Sequence, residues 1–193
     1  MTLKSLLTAS VIAATLSSGA ALAAPANYKI DMAHTSAVFN INHLGFSTMF
    51  GRFGKLDGTL MLDADNIENS SIKMVIDTES VTTFHEKRDE HLRSPDFFNA
   101  AEFSEMTFES SKITKTGDNT ATLEGDLTLL GVTKPVVLDM TINKIGPHPF
   151  TKAPMAGFSA SGTIKRSDFG MGYGLPAIGD EVSLHLDLEA APE

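Results

Sequence analysis

The densest group of side chains able to do chemistry in this chain is Arg88-Asp89-Glu90-His91, set beside the apolar anchors Leu92, Phe97 and Phe98. An Asp and a His can move a proton between them, and an Arg can hold an anion through charge-assisted hydrogen bonds. Three uses follow. Asp89 and His91 can serve an enzyme acting on an apolar substrate, the group can form the polar mouth of a ligand site, or it can be a network that fixes a connection. The last is the commoner use of such residues. The remaining chemistry is sparse. There is no Cys, which excludes disulfides, thiolate metal sites and a cysteine nucleophile. A Gly-x-Ser-x-Gly elbow is absent too.

Six His invite a metal site. His85 and His91 are six positions apart, about 240° around a helix, and not the i, i+4 spacing of a His-Glu-x-x-His zinc motif. His34 and His43 fall on neighbouring strands and can converge, but no further ligand accompanies them. The methionines from Met32 to Met171 are scattered along apolar positions and read as core filling. Gly170-Met171-Gly172-Tyr173-Gly174 lacks both the Lys-Ser/Thr ending and the following helix of a phosphate loop. It reads as a rim loop. No metal is expected.

The elements that must position these residues are strands. Apolar and polar residues alternate at 37–41, 56–62, 72–76, 106–108, 120–129, 136–142, 158–164 and 182–188. Such alternation marks antiparallel strands that are dry on one face and wet on the other. Turn residues separate them at 63–66, 116–119, 146–149 and Gly179-Asp180. Residues 81–99 lack the alternation and read as one or two short helices. Eight such strands can close as a barrel or stack as a sandwich. Gly58, Ala121, Gly125, Ala160 and Gly162 occupy apolar-face positions. Either they leave room for a cavity, or bulky residues such as Phe39 and Phe158 interdigitate with them. The pattern leaves both open.

At 193 residues the chain suits one domain, and its formal charge of −9 argues against nucleic acid or an anionic membrane as the main partner. Residues 1–23 read as a secretory signal: Lys4, then a short apolar run, then small residues at alternate positions. The run is broken by Thr8, Ser10 and Thr15 and is shorter than the ~20 residues of a membrane span. Cleavage is expected between Ala23 and Ala24, leaving 24–193 as one exported domain that is not an integral membrane protein.

Four blocks then carry a resemblance. They are Asp31-x-x-His34-Thr35-x-x-x-Phe39-x-Ile41-x-His43 with Gly51-x-Phe53; Arg88-Asp89-x-His91-Leu92-x-Ser94-x-Asp96-Phe97-Phe98; Gly125-x-Leu127-Thr128-x-x-Gly131-Val132-Thr133-Lys134-Pro135-Val136; and Arg166-x-Asp168-Phe169-Gly170-Met171 with Gly179-Asp180-Glu181-Val182. In that order they resemble the YceI-like family of exported lipid- and polyisoprenoid-binding proteins. Thr35 stands where Ser is usual, and Phe103-Ser104 where an aromatic followed by Pro is usual. The resemblance implies an all-β fold: an extended, eight-stranded antiparallel lipocalin-like barrel with one or two short helices between strands. Its helical block would lie outside or across an end.

It also implies a cavity that holds an isoprenoid lipid, a quinone or a similar amphiphile, with no other cofactor. The wall would be Phe39, Ile41, Leu60, Ile76, Phe108, Leu127, Leu138, Phe158, Ala160 and Leu184. Head-group contacts would come from His43, Arg88, His91 and Arg166, with His34 a further candidate. The implied role is a periplasmic carrier, possible as a homodimer, with no catalysis. The alternatives are an enzyme acting on a prenyl lipid through Asp89 and His91, and an interaction module serving a membrane electron-transfer partner.

Overall fold

The computed structural model describes residues 25–193; the expected signal and its cut between Ala23 and Ala24 lie outside the described residues. In chain order the strands are β1 (Ala26–Ile30), β2 (Ser36–His43), β3 (Ser47–Phe53), β4 (Leu56–Leu62), β5 (Ser71–Asp77) and β6 (Val81–Thr82). The helix α1 (Glu86–Arg93) follows, then β7 (Glu105–Lys115), β8 (Thr120–Leu129), β9 (Val132–Pro147), β10 (Pro154–Lys165) and β11 (Ile178–Pro192). Short 3₁₀ turns occupy Ile67–Asn69, Thr78–Ser80 and Arg166–Phe169.

All pairings are antiparallel, and the ring β1-β4-β5-β7-β8-β9-β10-β11 closes when β11 returns to β1. The expected eight-stranded barrel is therefore the fold. Its extension comes from β11, which is long enough to serve two partners. Its far end pairs with β1 (Ala190 opposite Ile30), while its beginning pairs with β2 (Leu184 opposite Phe39). The β2–β3 hairpin thus prolongs the wall at one end, and Gly54-Lys55 alone separate β3 from β4.

Why these segments are strands is clearest in β8. Ala121, Leu123, Gly125, Leu127 and Leu129 are buried, and the residues between them are not. The inward glycines answer the question the pattern left open. A Cβ on Gly125 would lie 2.5 Å from Cζ of Phe108 and 2.6 Å from the carbonyl oxygen of Glu109. One on Gly162 would lie 2.6 Å from Cδ2 of Leu138. These glycines are seats for bulky neighbours on the adjoining strand, so the interdigitated reading holds at those positions.

Three strands lie outside the eight expected segments: β1, β3 and the two-residue β6, which falls within the stretch expected to be helical. In β3, Phe50 faces outward and is 58% exposed while Gly51 faces inward beneath Phe39, so the polarity of the pattern is inverted there. β1 does alternate, Tyr28 and Ile30 being the less exposed residues and Asn27 and Lys29 exposed, but it lies close behind the expected signal. Two expected turns move. Gly179-Asp180 lies within β11, at a register shift between Ile178 and Val182. Gly146-Pro147 ends β9, and the reversal follows at 148–153, closed by the His148 N–H donating to the Ala153 carbonyl at 2.7 Å.

Residues 81–99 contain one α-helix. His85 caps it from extended backbone, its Nδ1 accepting the Arg88 N–H at 3.3 Å. Acidic residues occupy the first turn and basic ones the last, which complements the helix dipole.

Candidate functional site

The barrel encloses an apolar cavity of about 360 Å³, within the ~300–1,000 Å³ range of small-molecule sites. All ten expected wall residues line it: Phe39, Ile41, Leu60, Ile76, Phe108, Leu127, Leu138, Phe158, Ala160 and Leu184. The wall is not uniform. Inward residues of β8 are buried, whereas Ala37, Phe39 and Ile41 of β2 are only half-buried, so the lumen opens toward the end built from β2, β3 and the start of β11. Leu92, Phe97 and Phe98 also reach the cavity, so the helical block lies across that end. Phe98 is held there edge-on against Phe53 (5.4 Å between centroids) and Phe39 (6.3 Å). Aromatic contacts of this geometry stabilise beyond their area burial.

The four head-group candidates also reach the cavity, but their polar atoms differ in availability. Arg166 is 2% exposed, and its donors are committed to backbone: Nε to the Gly179 carbonyl (2.8 Å), Nη1 to Met171 (2.9 Å) and Nη2 to Ile178 (3.1 Å). Burial lowers its pKa and the Asp180 charge opposes the shift. Asp180 accepts the Ser167 N–H (3.0 Å) and hydroxyl (2.8 Å), which hold its own pKa down. Arg166 therefore ties the 3₁₀ turn and rim loop onto β11.

Arg88 donates from Nε to the Thr83 hydroxyl (2.6 Å) and from Nη2 to the Thr83 carbonyl (2.9 Å), and its Nη1 has no hydrogen-bond partner among the described residues. His91 has Nε2 2.8 Å from Asp96 Oδ2, and its ring sits edge-on to Phe97 and Tyr173 at 5.0 and 5.1 Å. His43, at the end of β2, is half-buried and its ring makes no hydrogen bond among the described residues.

Asp89 does not join His91. Two positions apart on a helix, they point about 200° from each other. Asp89 is buried and accepts the Thr83 N–H at 2.7 Å, the Thr83 hydroxyl, and the Thr82 hydroxyl at 3.1 Å. Burial pushes its pKa up, but those bonds and the Arg88 charge outweigh it and hold the carboxyl below the usual range. The pair considered for catalysis is thus two separate networks: one fastens α1 to β6, the other fastens the segment after α1.

His34 and His43 do not converge either. They flank opposite ends of β2, about 30 Å apart at the rise of an extended strand. His34 sits at the corner between β1 and β2. Asp31 makes that corner, accepting the Ala33 N–H at 2.9 Å and lying 2.8 Å from His34 Nδ1. That hydrogen bond, then the Asp31 and Glu189 charges, raise the His34 pKa. Asp31, His34 and Glu189 form the one His-and-carboxylate group of metal-ligating size among the described residues, at the outer face and far along β11 from the open end. Among the residues that sequence reasoning missed is Met49 of β3, which reaches the cavity from the unrecognised strand while Phe50 stands outward at its rim.

Residues 28–190 match the model of the YceI-like domain. Protein YceI of Escherichia coli is 40% identical over 192 residues, covering 98% of both chains. Among solved structures, the YCEI protein of Campylobacter jejuni superposes with a TM-score of 0.73 at 32% identity, covering 79% of this chain and 90% of that one. A polyisoprenoid binding domain from Saccharophagus degradans superposes with a TM-score of 0.67 over 88% of this chain and 99% of that one; at 17% identity it shares the fold.

Proposed function

The chain belongs to the YceI-like family, and from that premise we propose that it is an exported, periplasmic carrier that holds an isoprenoid lipid or quinone-like amphiphile in its barrel. The observation that carries this reading is the apolar cavity of about 360 Å³, walled by inward residues of nearly every strand and half-open at one end. The description of the S. degradans neighbour as polyisoprenoid-binding supports the ligand class, and the signal-like residues 1–23 support export.

The energetics suit a slender apolar chain. Each buried CH₂ contributes about 0.8 kcal/mol, so a five-carbon isoprene unit contributes up to ~4 kcal/mol. A few units exceed the ~8 kcal/mol of micromolar binding and leave a surplus against association costs. Once the cavity is full, its apolar wall discriminates weakly between chains that are longer still. Head-group preference then falls to the His43 ring and to Nη1 of Arg88, neither of which has a hydrogen-bond partner among the described residues.

The test is uptake of prenyl alcohols of increasing length by the wild type and by Ala160→Trp, which fills the lumen. Affinity should rise with each isoprene unit until the cavity is full. The variant should lose uptake at least tenfold while melting near the wild-type temperature. Equal uptake by both proteins would place the ligand outside the barrel and end the proposal.

A further inference from the structure

Large apolar side chains are exposed in a group around the open end. Phe46, at the tip of the β2–β3 hairpin, is 91% exposed; Phe50, Leu44, Tyr173 and Leu175 are also exposed. They belong to one surface. The Leu44 N–H donates to the Ala177 carbonyl at 3.0 Å, which ties the hairpin tip to the 172–177 loop, and Tyr173 packs on His91 and Phe97. That surface is continuous with the lumen, because Phe50 stands at the rim beside Met49, which reaches the cavity. The hairpin and the loop themselves carry no acid, and the acids of this end sit on the adjoining helical block, where Asp96 lies 2.8 Å from His91. The chain has 24 Asp and Glu, yet residues 41–56 contain none while including Arg52 and Lys55, and residues 170–179 contain no Asp, Glu, Lys or Arg.

We infer that this end docks on a phospholipid bilayer, with Phe46 and Leu175 entering the interfacial region so that cargo passes between bilayer and barrel without crossing water. The inference rests on the carrier reading. A bilayer fits better than a second copy of this chain. The apolar groups stand on a hairpin tip and a loop, and such knobs enter a soft interface but bury little area against a rigid face. A copy seated there would also cap the route to the lumen. The net charge of −9 opposes approach to a membrane, and the hairpin and 172–177 loop, which carry no Asp or Glu, are the parts where that repulsion is weakest.

The test uses the full-length protein after export, with vesicles of phosphatidylethanolamine and phosphatidylcholine in flotation. It compares wild type, Phe46→Asp with Leu175→Asp, the milder Phe46→Ser, and Phe150→Asp. Phe150 is 88% exposed but lies at the opposite end, in the β9–β10 turn. The double variant should float at least tenfold less and exchange a fluorescent prenyl alcohol with vesicles at least tenfold more slowly. Its uptake from detergent micelles should match wild type. Phe46→Ser should fall between, and Phe150→Asp should behave as wild type. Wild type that takes prenyl alcohol from micelles but does not float overturns the docking and leaves the carrier reading standing. Wild type that floats but takes no prenyl alcohol does the reverse. Equal losses in the Phe46 and Phe150 variants, or a wild-type dimer that Phe46→Asp converts to monomer, overturn the docking.

Discussion

Nε of Arg166 donates to the carbonyl of Gly179 at 2.8 Å, across the register shift that interrupts β11. The carbonyls of Met171 and Ile178 take two more of its donors, so one buried cation gathers a 3₁₀ turn, a rim loop and a strand. Arg166→Ala leaves those acceptors unpaired, at about 1–3 kcal/mol for each group that water cannot reach. The variant should lose roughly 3 kcal/mol in urea melts. If it instead melts as wild type and loses only preference for a phosphorylated ligand, Arg166 serves the head group.

Gly125 is the tightest test of the wall. Gly125→Ala drives a Cβ against the Phe108 ring and the Glu109 carbonyl. Overpacking of this kind costs about 1–3 kcal/mol. Chemical denaturation should show that loss, with prenyl uptake reduced because the ring is displaced into the lumen. Unchanged stability would mean that the space beside Phe108 is empty.

Asp89 predicts a response to acid. Its folded pKa lies below the ordinary carboxylate value, so the stability it contributes is fully present above that ordinary value. The contribution is lost as pH falls through the ordinary range toward the depressed one. Wild type should therefore lose more stability between pH 5 and 3, taken as a rough window around that range, than Asp89→Asn does. Parallel pH profiles for the two proteins would show that the carboxylate is not what fastens α1 to β6.

His43 should discriminate head groups. Its ring has no hydrogen-bond partner among the described residues, so one hydrogen bond to a hydroxyl or carbonyl contributes about 1 kcal/mol. His43→Ala should weaken a prenyl alcohol roughly fivefold and leave the hydrocarbon of equal length unchanged, as read by competitive titration. An equal loss for both ligands would make His43 a packing residue.

The strands that face water on one side and the lumen on the other were legible, because burial and polarity alternate together in segments such as Ala121–Leu129. The alternation put the ten wall residues on the apolar face, and the family resemblance made that face a cavity wall. β3 was hidden because its outward Phe50 and inward Gly51 reverse the expected polarity. The fates of Arg88, His91 and Arg166 were not legible. A cation reads the same in sequence whether it waits for a ligand or is spent on backbone carbonyls, and only the folded chain brings Gly179 to Arg166. The same limit applies to Asp89 and His91, whose partners Thr83 and Asp96 lie on opposite sides of the helix in sequence.

The most direct measurement is native mass spectrometry of the protein purified from its host without detergent. The account predicts an added mass that organic extraction identifies as an isoprenoid or quinone-like amphiphile, retained equally at low and high salt because burial of an apolar tail is not screened. A protein that carries no lipid as purified, and takes up no prenyl chain when offered one, would contradict it.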